Sequence, residues 1–129
     1  MIEISYDNVM NGLNKGIHMI CVCPTQLESD RLYRNAVKLW YAKGWTICNS
    51  VEQTIQYGPE GFPRVFLRFK ALKTLREDSW RGFRGVFLLH PDFHPDILSS
   101  QNMRLTRQEQ QMLSELSQYN ERYLKQWRA

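Results

Sequence analysis

The stretch Ile17-His-Met-Ile-Cys-Val-Cys-Pro-Thr-Gln-Leu-Glu28 decides the fold. Its first seven residues are apolar at nearly every position rather than at alternate ones, the pattern of a strand covered on both faces. Pro24 ends that strand, and Thr25 with Glu28 three residues on forms a capping box that opens a helix. Leu32, Ala36, Val37, Leu39 and Trp40 then recur at helical spacing, with Arg31, Arg34, Lys38 and Lys43 interleaved. Gly44 supplies the stop. A strand–helix unit over 17–44 follows.

Working outward, Trp45–Cys48 predicts a second short strand, to which Thr54–Tyr57 adds, and Gly58-Pro-Glu-Gly61 is turn chemistry. Arg64-Val-Phe-Leu-Arg-Phe-Lys70 alternates strictly, as a half-buried strand does. Gly85-Val-Phe-Leu-Leu89 is again apolar on both faces. Thr106 and Glu109 make a second capping box, followed by Met112, Leu113, Leu116, Tyr119, Tyr123, Leu124 and Trp127 on one stripe, a final helix of about 20 residues. A weaker amphipathic helix fits Tyr6–Leu13, closed by Gly16. The prediction is α/β: a single layered domain over 1–129 with a mainly parallel central sheet of about four strands, flanking helices and a long C-terminal helix.

The 129 residues are 43% hydrophobic and 23% charged. That balance excludes a disordered tail, a collagenous repeat and a disulfide-dense miniprotein. Three cysteines, with Cys21 and Cys23 only two apart, favour a reduced, cytoplasmic setting. No secretory leader is evident, and the longest apolar run, 17–23, is too short to span a bilayer, so no membrane partner is expected. Cys23 precedes a helix N-terminus, which can activate a thiol, but no phosphatase-like loop follows it; a small buried core residue is the expected role.

The net charge of +4 is unevenly spread. Residues 1–63 sum to −1 and 85–129 to zero, so the excess lies in 64–84, which carries seven basic and two acidic groups. Arg64, Arg68, Lys70, Lys73, Arg81 and Arg84 could contact phosphates or carboxylates, with Phe66 or Trp80 stacking, a mixture that nucleic-acid surfaces use. An acidic protein surface would be read by the same charges. A second candidate is His90-Pro-Asp92-Phe-His94-Pro-Asp96. Its four polar residues are spaced by two at the end of a buried strand, and His with carboxylate suits a divalent metal. The aromatic stripe Tyr119, Tyr123, Trp127 is expected in the core and is otherwise a partner-binding face. No Ser/His/Asp set can be assembled from spacing alone.

Residues 8–93 also resemble part of a P-loop ATPase core of the kind found in phage large terminases and superfamily-two helicases. Ile20-Cys-Val-Cys-Pro-Thr25 is similar to that family's strand with a Pro-Thr step. Arg64–Leu72 and Trp80-Arg-Gly82 are similar to its Arg/Phe-rich strand and Arg-Gly turn, and Val86–Asp92 loosely to its Walker B strand. The phosphate-binding G-x-x-x-x-G-K-[ST] loop is absent, and His90-Pro91 stands where the family has Asp-Glu. The resemblance thus implies a degenerate, non-hydrolysing relative that lacks the electrostatic cradle for a triphosphate.

Three functions are compatible with the sequence. The first is a non-catalytic, phage-type modulator that uses 64–84 to engage nucleic acid or an acidic host or phage protein, without a cofactor. The second is a metal-dependent hydrolase or nuclease centred on His90, Asp92, His94 and Asp96. The third is a protein–protein module acting through the C-terminal helix.

Overall fold

A computed structural model describes residues 2–41, 46–58, 65–75, 80–93 and 105–129. The elements are β1 (Ile2–Glu3), α1 (Tyr6–Asn14), β2 (His18–Cys23), α2 (Gln26–Tyr41), β3 (Thr46–Asn49), β4 (Thr54–Tyr57), β5 (Val65–Ala71), β6 (Gly85–Leu89) and α3 (Arg107–Arg128), with short 3-10 turns at Leu72–Thr74 and Pro91–Phe93. One six-stranded sheet runs in the order β1-β6-β2-β5-β4-β3. The first four strands of that order are mutually parallel, and the β3–β4 hairpin continues the sheet antiparallel to β5. No helix among the described residues is long and apolar enough to cross a membrane.

The α/β architecture and the long C-terminal helix agree with the sequence pattern; the expected four strands become six. Thr54–Tyr57 is a separate strand because the chain reverses at 50–53. There Asn49 Oδ1 accepts from the Val51 and Glu52 N–H groups at 3.1 Å, the side-chain mimic of a turn that Asn provides. β1 was missed because two residues carry no period; the Ile4 N–H donates to Leu89 O at 2.8 Å just beyond it. The second capping box forms as expected, with both reciprocal bonds present. Only half of the first does: Glu28 N–H donates to Thr25 Oγ1 at 3.2 Å, while the Glu28 carboxylate turns elsewhere. The Gly44 stop lies outside the described residues.

β2 is the central strand and is buried on both sides, as its unbroken apolar run requires. Met19, Cys21 and Cys23 face a first layer in which α1 and α2 bring Val9, Tyr33 and their neighbours onto Leu67, Phe69, Val86 and Leu88. Ile20 and Val22 face a second layer of Leu72, Leu75, Trp80, Phe83, Phe87, Phe93 and Leu116. The α3 helix starts over the second layer and reaches α1 with its last turn. Trp127 belongs to the first layer, and its carbonyl accepts from Asn11 Nδ2 at 2.9 Å and from Lys15 Nζ. Gly12 is what admits it, since a Cβ there would lie 2.5 Å from Met19 Sδ and 2.9 Å from Trp127 Cζ3. Gly16, at φ +69°, closes α1 in the left-handed region that glycine tolerates.

Two side chains complete the sheet where strands run out. Among the described residues β1 pairs only with Leu88 and Leu89, so the Phe87 peptide on that edge has no strand beside it. Asn120 of α3, 2% exposed, takes its place: its Oδ1 accepts the Phe87 N–H at 2.7 Å and its Nδ2 donates to Phe87 O at 2.8 Å. At the start of the β2–β5 ladder, His18 Nδ1 accepts the Phe66 N–H at 3.2 Å.

Candidate functional site

The alternation of β5 puts Val65, Leu67 and Phe69 into the first layer and Phe66, Arg68 and Lys70 on the second side, all three half-buried. Phe66 packs against the second layer, with its ring stacked on His18 at 4.3 Å and 5.9 Å from Phe83. The Arg68 guanidinium lies 5.5 Å from the Phe66 ring centroid. Its Nε donates to Thr54 Oγ1 at 3.0 Å and it pairs with Glu52 at 3.6 Å. Lys70 shares this side of the strand, two residues on. Burial, and then the positive charge of Arg68, lower the Lys70 pKa, and Glu52 only partly opposes this. Two like charges are therefore held together on one strand face.

These cations border an open polar cleft of about 370 Å³, lined also by Gln26 at the start of α2, the 51–53 turn and Thr74. The turn is anchored to α2. Gln53, itself at φ +49°, accepts from Ser29 Oγ and from Gln26 Nε2 at 3.3 Å and donates to Asp30. Gln26 Nε2 also donates to Asp30 Oδ1 at 3.0 Å, and this bond, followed by that from Gln53, lowers the Asp30 pKa. The site lies where α/β sheets gather ligands. The chain leaves β2 toward the first layer, through α2, but leaves β5 and β6 toward the second, so the carboxyl end of β2 is a point of divergence.

The remaining described members of the basic segment are dispersed. Lys73 and Arg84 are exposed. Arg81 lines a second cleft, of about 420 Å³, together with Glu115, Gln118 and Arg122 of α3. Arg122, whose guanidinium lies 4.9 Å from the Tyr119 ring centroid, has no counterpart in the sequence reading because it falls in a charge-balanced segment. Arg64 lies outside the described residues. Of the aromatics expected to stack, Phe66 is half-buried, while Trp80 and Phe83 are buried. Trp80 is 5% exposed, packed edge-on against Phe87 and Tyr119, and Phe83 is buried beside it. Tyr119 is tied down by its hydroxyl, whose single proton lies between two acceptors, Arg81 O at 3.1 Å and Phe83 O. A large aromatic beside arginines serves the core here.

The other flank of β2 holds His90 and Asp92, joined by Glu28 from the first turn of α2, which spacing alone did not single out. One potential ligand atom from each lies within 4.8 Å of the others. His94 and Asp96 lie outside the described residues. The hydrogen bonding does not suit a metal. His90 Nδ1 accepts the Asp92 N–H at 3.0 Å, so the neutral ring carries its proton on Nε2, which faces Glu28 Oε2 at 3.5 Å. A ligating histidine gives its lone pair to the metal, and here the Nδ1 lone pair is already taken by the Asp92 N–H. The trio instead links the end of β6 to the start of α2.

Cys21 and Cys23 are fully buried, and burial raises the Cys21 pKa well above its ordinary value, the opposite of an activated thiol. Burial also lowers the His18 pKa, and its bond from the Phe66 N–H needs the neutral ring. Below about pH 6.5 the unfolded chain takes up this proton while the folded one resists, so stability falls as pH drops toward the folded pKa. His18→Gln, which keeps an acceptor, is expected to flatten that decline in denaturant unfolding between pH 7 and 5. Equal decline in both proteins would contradict it. No protein-family model, curated protein or solved structure matches this chain.

Proposed function

We propose that the chain is a non-catalytic binding module that engages the phosphate backbone of nucleic acid through the second side of its sheet, centred on Arg68 and Lys70. The observation that carries this reading is the pairing of two cations on one strand face beside an open cleft, with Glu52 their nearest counter-charge. An anion entering the cleft relieves their repulsion, whereas the fold gains nothing from it. With Phe66 and Trp80 held in packing, the contacts are to phosphate rather than to bases, so binding is independent of sequence. The likeness to a P-loop core lacking its phosphate loop is compatible with a modulator of a nucleic-acid machine and contributes nothing to this site.

The reading makes a paired prediction for Lys70→Met. A lysine whose folded pKa is lowered costs the fold at neutral pH, where both states are charged, and stability recovers as pH rises through that pKa toward about 10.5. The variant is therefore expected to melt higher than wild type at pH 7 and to bind a labelled 20-mer DNA more weakly. The double variant Arg68→Ala, Lys70→Ala is expected to lose about tenfold or more in affinity at 50 mM salt, from two lost phosphate contacts. Unchanged binding in both variants would overturn the proposal.

A further inference from the structure

We propose that the opposite side of the molecule, the cleft between α1 and α2, docks an acidic amphipathic peptide segment of a partner protein. The two helices leave an opening of about 200 Å³ lined by Ile4, Val9, Leu32, Phe69 and Pro91, with Tyr6 and Leu39 at its mouth, 42% and 50% exposed. Its polar liners are Ser5, whose hydroxyl already accepts the Asn8 N–H at 3.1 Å, and Asn35. A cavity of about 150 Å³ holds a benzene ring, so this one accepts a single aromatic or branched side chain. A nucleic-acid base would leave its polar edge unpaired there.

The rim supplies the charge. Arg31, Arg34 and Lys38 follow Leu27, which is 54% exposed, along the outer face of α2. Asn35 borders both this stripe and the apolar opening, so the two surfaces are continuous. Glu28 pairs with Arg31 at 3.0 Å, and Asp30, tied to Gln26 and Gln53, also acts on Arg34, so three cations line the outer face against two carboxylates and leave an excess of one positive charge. One apolar anchor entering the cleft, with carboxylates on the side that lies along α2, matches this arrangement.

The test is selection of a random 12-residue display library on the immobilised full chain, followed by anisotropy with the labelled winners. Recovered peptides are expected to carry net negative charge around a bulky apolar residue. Their affinity should fall about tenfold, or about 1.4 kcal/mol, in Leu39→Asp and in Arg34→Glu. Both positions are exposed, so the fold should survive, and circular dichroism checks that it does. DNA binding should be unaffected, which separates this site from the one on the other side. Recovery of basic or uncharged peptides, or affinities within about twofold of wild type in both folded variants, would overturn the proposal.

Discussion

Asn120→Leu is expected to destabilise the protein by about 3 kcal/mol, because each buried polar group left unpaired costs about 1–3 kcal/mol and two are stranded. Leucine fills the space but leaves the Phe87 N–H and C=O on an edge that β1 is too short to cover. The melting temperature should fall on the order of 10 °C. Asn120→Asp distinguishes this from simple loss of volume. At pH 7 its carboxylate accepts the N–H but sets a second oxygen against Phe87 O, so it too destabilises. A carboxyl group in such a place has a raised pKa. Once protonated it can donate to Phe87 O as the amide does, so the loss should shrink as pH falls toward 4. Equal losses in the leucine and aspartate variants at both pH values, or a loss under about 1 kcal/mol for leucine, would contradict the role assigned to Asn120.

Gly85→Ala is expected to cost at least about 3 kcal/mol, the upper range for overpacking, because the obstacle is backbone. A Cβ at Gly85 would overlap the His18 carbonyl oxygen, with its carbonyl carbon 2.8 Å away and Phe83 Cζ at 2.7 Å. Gly85 is paired with His18 in the central ladder, so relief means parting β6 from β2. Gly82, three residues earlier, has nothing within 4 Å of such a Cβ, and Gly82→Ala should stay within about 0.5 kcal/mol of wild type. Chemical denaturation of the two variants settles the comparison; similar midpoints would show that the β2–β6 contact is looser than described.

Much of the layering is legible in the sequence because burial on both faces leaves an unbroken apolar run. Ile17–Cys23 and Gly85–Leu89 became β2 and β6 within one residue. Capping and stripe together gave α3, whose Thr106–Glu109 box is complete. The hairpin needed the Asn49 turn to be recognised, and β1 carries no period at all. What could not be foreseen is how side chains from distant positions meet. Glu28 looks like a capping residue until His90 arrives beside it, and Asn120 looks like a solvent-facing helix residue until it is seen against Phe87. The basic segment is visible as charge, but composition does not distinguish a stacking platform from a core ring, and Trp80 is buried. Trp80 and Phe66 are engaged by Phe87, Tyr119 and His18. The cations, of which phosphate or carboxylate contacts were expected, are the part of the segment on which the proposed site rests.

The most direct test of the nucleic-acid proposal is the salt dependence of binding to a single-stranded 20-mer, measured by anisotropy from 20 to 200 mM salt for wild type and for Arg68→Ala, Lys70→Ala. The slope of log affinity against log salt is about −0.7 per phosphate neutralised on a single strand, so removing two contacts should make the slope shallower by about 1.4. Scrambling the oligonucleotide sequence should leave both slopes unchanged. Absence of wild-type binding at 20 mM salt, or parallel slopes for the two proteins, would contradict the assignment of the Arg68–Lys70 face to phosphate.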